Sequence, residues 1–215
     1  SKFPQLILLY LHNIILMPTR RRVRTKKNNT KKNNTISFYK TPPKLINING
    51  VYLLLLSVKD SQATQMECSI FGGNFLETDK NAGIAHLLEH LLISASKYCG
   101  SLNCVSYLDN HGIQYNASTH SMLTNYWLKG LPKYNDIMLN YITSIIFSPN
   151  ITNELIAKEK KAVRNELKSY INDPSWKLSY LMRKAFYKAT GLKNDSNYEL
   201  QLKLLDKIDT RTLYK

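Results

Sequence analysis

Apolar runs bounded by turn residues predict a chain of strands and helices that do not strictly alternate. Val51 to Val58 and Met66 to Phe71 are short apolar runs next to glycines, a pattern typical of strands. Gln114 to Leu128 is rich in Tyr, Thr and Trp and partly alternates, which predicts a strand pair or one long bent strand. The predicted fold class is therefore α+β, with an antiparallel or mixed sheet packed by helices on one face.

Helical spacing of apolar residues predicts the remaining elements. Thr152 precedes a long amphipathic segment and is the expected N-cap of a helix that runs to about Ile171. Further helices are predicted at 105–110, 134–147 and 176–189, with a weaker one at 199–215. The folded domain is expected to occupy residues 41–215.

Three polar residues, His86, Glu89 and His90, interrupt a strongly apolar segment that follows Gly83. The segment predicts a buried helix to about Ser96, capped by Thr78 or Asp79. On a helix, positions i and i+4 lie one turn apart on the same face, so both imidazoles can reach one metal ion. Glu89 lies about 60° around the helix from His86 and borders the same site.

This arrangement suits zinc chemistry. Zinc held by two or three protein ligands lowers the pKa of a water to about 7, and a neighbouring carboxylate can take its proton. His-x-x-Glu-His is the inverted form of the His-Glu-x-x-His zinc motif. The alternative is a purely structural set of polar residues, but burying three of them without partners would be costly.

The long helix after Thr152 offers a third ligand. Glu159 and Glu166 lie two turns apart on the same face as Leu155, Val163 and Tyr170. Carboxylates on an apolar face require a cation, which zinc would supply. An ordinary salt-bridged helix is the alternative, and the spacing alone does not choose between the two acids.

The charge of the chain is concentrated at its beginning. The 215 residues carry a net charge of +15, and 12 of the 30 basic residues but none of the 15 acidic ones come before Asp60. Residues 1–40 are predicted to form a disordered basic leader, because Arg20 to Thr35 contains almost nothing apolar. Such a run can bind nucleic acid weakly, act as a targeting signal or remain solvated.

The apolar stretch Phe3 to Met17 is too short for a membrane span and lacks the order of a signal peptide. We interpret Met17 as the true start, with the first 16 residues as upstream translation or the end of a longer chain; a short membrane anchor is the alternative. Cys68, Cys99 and Cys104 form no Cys-x-x-Cys pair. They indicate reduced thiols in an intracellular reducing compartment, such as cytoplasm, organelle or virion, although one disulfide remains an alternative.

Several of these segments together resemble a known family. The run from Phe71 to His90, followed by 112–119, 124–126, 159–166 and Asp173-Pro174, is similar to the pitrilysin/insulinase-like zinc metallopeptidases. The segment Leu92 to Ser96 resembles the poxvirus core-processing protease branch more than the others. The resemblance covers most of the chain after about residue 45.

The resemblance implies a role for each polar residue of the predicted site. His86 and His90 would bind one zinc ion, with Glu166 as the third ligand. Glu89 would be the general base, and Glu159 would support the site from behind the ligands. The substrate backbone would pair with an edge strand formed by Asn116, Ala117, Ser118 and Thr119.

The implied function is a zinc-dependent endopeptidase that hydrolyses extended peptide or protein segments. Family enzymes close two or more related domains around the peptide, so the resemblance implies a second homologous domain or chain as the partner. The chain is expected to be a C-terminally truncated copy of the first domain. The alternative function is a non-catalytic or fragmentary peptide-binding subunit that needs a partner domain.

Overall fold

The computed structural model describes the backbone of residues 7–12 and all atoms of 39–99, 104–190 and 197–214. Its sheet has six strands, β1 (Ile7–His12), β2 (Tyr39–Ile48), β3 (Val51–Val58), β4 (Thr64–Ile70), β5 (Gln114–Thr119) and β6 (Thr124–Gly130). The spatial order is β2-β3-β1-β4-β6-β5. Strands β1 and β3 are parallel and the other neighbours are antiparallel, so the predicted mixed sheet is confirmed.

The helices also follow the sequence pattern. They are α1 (Ile84–Ser94), α2 (Cys104–Asn110), α3 (Asn135–Phe147), α4 (Asn153–Asn172), α5 (Pro174–Thr190), α6 (Tyr198–Leu204) and α7 (Thr210–Leu213). The hydroxyl of Thr152 accepts a hydrogen bond from Leu155 N, which confirms the predicted cap of α4. Within the described ranges, no helix is long and apolar enough to cross a membrane.

One face of the sheet carries the core. Met66 and Cys68 in β4, and Tyr126 and Leu128 in β6, alternate with more exposed residues, as the two-residue period of a strand requires. Helices α1, α2 and α3 contact this half of the sheet. The predicted packing of helices on one face is thereby confirmed.

Helix α1 has a second packing partner, the long helix α4. Leu87 and Leu91 on α1 are fully buried against Val163 and Leu167 on α4. Burying four aliphatic side chains stabilises the pair by several kcal/mol, at roughly 1.5–3 kcal/mol for each. The contact fixes α4 beside the polar residues of α1.

Strand β1 departs from the predicted disordered leader. Ile7–His12 lies between β3 and β4, which are consecutive in sequence but do not pair with each other. The basic stretch after this apolar run predicts disorder for the whole leader, whereas a central strand needs only about six apolar residues. The predictions for Met17 and for Arg20 to Thr35 lie outside the described residues.

The prediction of three reduced thiols is wrong for two of them. Cys99 and Cys104 form a disulfide, while Cys68 is free and buried in β4. The two paired cysteines are five positions apart, and no Cys-x-x-Cys spacing marked them. A pair of this kind depends on the local chain path, which the sequence pattern did not show.

Candidate active site

The helix that carries the motif begins at a buried carboxylate. Glu77 accepts hydrogen bonds from the backbone N–H groups of Gly83 at 2.9 Å and Ala85 at 2.8 Å. These are amides of the first turn, which have no partner within the helix. Gly83 takes the N-cap position with a φ of 91°, a conformation that glycine adopts at little cost.

The predicted cap at Thr78 or Asp79 is therefore wrong. The side-chain oxygen of Asn81 accepts hydrogen bonds from both the N–H and the hydroxyl of Thr78, at 2.6 and 2.7 Å. This local turn occupies Thr78, and helix α1 starts only at Ile84. The functional consequence is that Glu77, which the sequence did not single out, positions the start of the motif helix.

The two motif histidines lie side by side on α1. The ring centroids of His86 and His90 are 5.1 Å apart, with an angle of 69° between the planes. Leu87 and Leu91 fix the rotation of the helix through their burial against α4. As a result, both imidazoles face the same side, as the four-residue spacing predicted.

Helix α4 brings Glu166 to both histidines. Its Oε2 atom is 3.1 Å from Nε2 of His90 and 3.5 Å from Nε2 of His86. One potential ligand atom from each of the three residues lies within 4.8 Å of the others. Two imidazole nitrogens and one carboxylate oxygen are a donor set typical of catalytic zinc, so the residues fit the metal.

Glu159 lies on the opposite side of His90. Its Oε2 atom is 3.6 Å from Nδ1 of His90, and its Oε1 atom accepts a hydrogen bond from the Ser94 hydroxyl at 3.4 Å. The side chain is buried, whereas Glu166 is one-third exposed toward the cavity. The structure thus distinguishes the two acids that the sequence spacing left equivalent.

The ion pairs set the charge of this cluster. Burial alone lowers the pKa of His90, but hydrogen bonds to Glu159 and Glu166 raise it to about 9. The hydrogen bond with His86, followed by that with His90, holds the pKa of Glu166 well below its usual range. The hydrogen bond with His90 also lowers the pKa of Glu159. Both acids are therefore carboxylates at neutral pH, the form that binds a cation.

The predicted general base and the predicted edge strand meet in one cavity. A cavity of about 400 Å³ is lined by His86, Glu89 and Glu166 together with Ala117, Ser118 and Thr119 of β5. The hydroxyl of Thr119 donates a hydrogen bond to Oε2 of Glu89 at 2.6 Å. Asn116 belongs to the same edge strand but does not line the cavity; its side chain accepts a hydrogen bond from Ala117 N.

Aromatic residues that the sequence did not assign to the site form another wall. The Tyr170 hydroxyl donates a hydrogen bond to Oε1 of Glu166. The ring of Tyr170 lies 4.5 Å from that of Trp176 and 5.3 Å from that of Tyr198, measured between centroids. Desolvation, followed by the hydrogen bond to Glu166, raises the pKa of Tyr170. The one available signal was spacing, since Tyr170 follows Glu166 by four residues on α4.

The structure places His86 and His90 on one helix and Glu166 on a second, within a mixed α+β fold. This arrangement is typical of metallopeptidases that carry the inverted His-x-x-Glu-His motif. Residues 54–198 match the family model described as Insulinase (Peptidase family M16). The chain belongs to this peptidase family.

Relatives support this assignment at moderate identity. The chain is 27% identical over 139 residues to the "Uncharacterized zinc protease YmxG" of Bacillus subtilis, covering 65% of this chain and 34% of that protein. It is 29% identical over 136 residues to "Insulin-degrading enzyme-like 1, peroxisomal" of Arabidopsis thaliana, covering 63% of this chain and 14% of that protein. The chain thus spans about a third of the length of the first relative and about a seventh of the second.

A solved structure shares the fold. The crystal structure of a protease from Helicobacter pylori superposes with a TM-score of 0.66 at 18% sequence identity. The match covers 80% of this chain and 41% of that one. At this identity the likeness establishes the α+β architecture, and the site must be argued from its own residues.

Proposed function

We propose that the chain is the metal-holding, catalytic part of a zinc-dependent endopeptidase that hydrolyses extended peptide or protein segments. The observation that carries the proposal is the convergence of His86, His90 and Glu166 on a cavity that also contains Glu89. Membership of an insulinase peptidase family supports the reaction class. A relative named as a zinc protease supports the metal.

Three side chains would hold the ion: His86 and His90 through ring nitrogens, and Glu166 through a carboxylate oxygen. When bound, zinc supplies Lewis-acid activation of water and polarisation of the scissile carbonyl group. Glu159 holds His90 from its Nδ1 side, which fixes the orientation of the ring. Tyr170 holds the second oxygen of Glu166 in the same way.

Glu89 is the proposed general base. Its carboxylate is beside the ligand cluster, since it lines the same cavity as His86 and Glu166. It would take a proton from the attacking water and pass it to the nitrogen of the leaving amine. Thr119 donates to Oε2 of Glu89, which restricts the carboxylate to one orientation and leaves Oε1 for the water.

Strand β5 is the proposed docking site for the substrate backbone. It is the last strand in the sheet order, so its backbone pairs with β6 on one side only among the described strands. An extended peptide can add to such an edge as a further strand. Ala117, Ser118 and Thr119 line the cavity, so a peptide paired with β5 would pass directly beside Glu89.

A second domain or chain is the proposed partner. The chain covers 41% of the Helicobacter pylori protease chain and 34% of the Bacillus subtilis relative. The remaining length of those proteins leaves room for a further domain that would close over the cavity. A peptide-binding subunit without activity is the second candidate, although it would have no need of a carboxylate at Glu89.

Zinc content and peptide cleavage, measured on the same preparations, test the proposal. The purified chain would be compared with Glu89→Gln and Glu166→Gln, using an unstructured peptide with a quenched fluorophore. Glu154→Gln is the matched control, because Glu154 is exposed at the start of the same helix as Glu166. Each cleavage assay would be repeated after a homologous second domain has been added to the chain.

We expect about one zinc per chain in the parent, in Glu89→Gln and in Glu154→Gln, and much less in Glu166→Gln. Cleavage should be lost in both site variants and retained in the control. Zinc and peptide binding without cleavage, with or without a second domain, would favour the subunit candidate. A parent that binds no zinc would overturn the proposal.

A further inference from the structure

Three polar side chains with unpartnered buried atoms line the same cavity as the metal-ligand cluster. They are Arg183 on α5, Gln201 on α6 and Asn74 in the turn before α1. The buried atoms without a hydrogen-bond partner are Nε and Nη2 of Arg183, Oε1 of Gln201 and Oδ1 of Asn74. None of these three residues was singled out by the sequence pattern.

Among these three side chains, Arg183 is unusual because buried guanidinium atoms belong to a helix that lies at the surface. No residue of α5 is buried as a whole, and its neighbours Leu181, Met182 and Phe186 are all more than half exposed. The burial of Nε and Nη2 therefore does not come from a buried helix. Instead, the long side chain carries these atoms from a surface helix to the wall of the cavity, which Arg183 helps to line.

Leaving these N–H groups unpaired carries a cost. Arginine stays charged at all physiological pH values, so it cannot avoid the cost by losing a proton. A buried donor on a charged group without an acceptor destabilises a fold more than a neutral one does. Glu89 and Glu166 line the cavity too, yet neither accepts a hydrogen bond from Nε or Nη2. The missing acceptor is expected from a ligand.

The identity of the free atoms indicates the chemistry of that ligand. Nε and Nη2 form the side edge of the guanidinium plane, and their parallel N–H bonds match the two oxygens of a carboxylate. The amide oxygens of Gln201 and Asn74 accept hydrogen bonds and suit peptide N–H groups. A peptide that carries a carboxylate offers both the oxygen acceptors for Arg183 and the backbone N–H donors for Gln201 and Asn74.

We infer that Arg183, flanked by Gln201 and Asn74, forms a subsite that recognises a carboxylate of the peptide substrate. The carboxylate belongs either to an acidic side chain near the scissile bond or to the C-terminus of the peptide. The inference rests on the proposed function, since it assumes that peptides occupy the cavity. It adds a specificity determinant: Arg183 selects which peptides bind productively and does not take part in proton transfer.

Binding can be measured without turnover in the Glu89→Gln background of the full chain. Three fluorescent peptides of otherwise identical sequence would be compared: one with a glutamate beside the scissile bond, one with glutamine there, and one with glutamine and an amidated C-terminus. Arg183→Met removes the charge and the donors of the subsite. Arg183→Lys keeps the charge but lacks the two parallel N–H donors. Lys184→Met is the control, because Lys184 is exposed on α5 and does not line the cavity.

We expect the subsite to favour one carboxylate peptide over its neutral counterpart by about tenfold or more, the usual effect of a charged hydrogen bond. That ratio should fall to about one in Arg183→Met, remain partly in Arg183→Lys and be unchanged in Lys184→Met. The peptide that shows the preference identifies the source of the carboxylate. An equal affinity of the parent for all three peptides, or a ratio that survives Arg183→Met, would overturn the inference.

The two proposals fail in different ways. If the carboxylate preference is present but the chain with intact Glu89 cleaves nothing, even with a second domain, the subsite stands and the peptidase proposal fails. If all peptides are cleaved at equal rates and Arg183→Met slows them equally, the peptidase proposal stands and the carboxylate subsite is rejected. Circular dichroism of each variant establishes that the fold is retained.

Discussion

Thr119 and Glu89 are joined by a hydrogen bond of 2.6 Å that connects the edge strand β5 with the motif helix α1. The bond makes the orientation of the proposed base depend on the strand that would bind the substrate. A peptide that adds to β5 and shifts it would therefore also shift Glu89.

Thr119→Val should lower the cleavage rate with little effect on zinc content, because Glu89 loses its fixed orientation but no ligand is removed. Losing a hydrogen bond to a charged group costs about 1.5–3 kcal/mol, which corresponds to roughly 10- to 100-fold in kcat. Thr119→Ser keeps the hydroxyl and should stay close to the parent. Thr143→Val serves as the control, since the Thr143 hydroxyl bonds only within α3. An unchanged kcat in Thr119→Val would show that Glu89 needs no such support.

Glu159→Gln should weaken zinc binding without abolishing it. Glu159 contacts Nδ1 of His90, so its charge would support the ring proposed to bind the ion, whereas Glu166 would be a ligand itself. Supporting groups of this kind typically contribute about 10- to 100-fold in metal affinity. Competition with a zinc-binding dye would rank the variants, and Glu154→Gln should match the parent. If Glu159→Gln lost zinc as completely as Glu166→Gln, the roles of the two acids would have to be reconsidered.

Glu77→Ala should destabilise the fold, because it leaves the amides of Gly83 and Ala85 without their partner. Removing a side chain that caps a helix lowers the free energy of unfolding by about 0.5–2 kcal/mol, and the burial of Glu77 places it at the upper end. Chemical denaturation would measure the loss. Asp79→Ala, in the same turn but exposed, should have little effect. Equal stability of the two variants would contradict the proposed capping role.

Leu9→Pro should be far more damaging than a proline on the outer strand. Leu9 lies in the middle of β1, opposite Leu53 on one side and Cys68 on the other. Proline cannot donate to the ladder, and an unpaired buried partner costs at least about 1–3 kcal/mol. Lys40→Pro is the control, since β2 is exposed and already contains Pro42 and Pro43. Similar melting temperatures for the two variants would show that β1 contributes little to the sheet.

The sequence predicted those parts of the site that depend on local periodicity. Four-residue spacing on one helix was sufficient to place His86 and His90 together, and Thr152 marked the start of α4 by its position before an amphipathic segment. Local periodicity could not predict which of Glu159 and Glu166 would lie beside both histidines. Both lie on the same helical face two turns apart, so the position of α4 along its own axis, set by packing against Leu87 and Leu91, determines which one reaches both histidines.

The residues that were missed act through contacts distant in sequence or outside any regular pattern. Glu77 caps a helix from six and eight positions away, across a turn that Asn81 closes. Arg183 lies on a surface helix, and Leu181, Met182 and Phe186 near it are exposed, so no periodicity indicated that Arg183 would line the cavity. Such residues become visible only once the tertiary structure is known.

The place of β1 in the sheet also determines the order in which the sheet can be assembled. Ile7–His12 leaves the ribosome before both strands with which it pairs, since Ile7 pairs with Val51 of β3, 44 positions later, and His12 pairs with Gln65 of β4, 53 positions later. Pairing across such a separation carries a loop-closure cost that neighbouring hairpins avoid. The hairpins β2-β3 and β5-β6 can therefore form early, while the two halves of the described sheet join only when β1 takes its place between them.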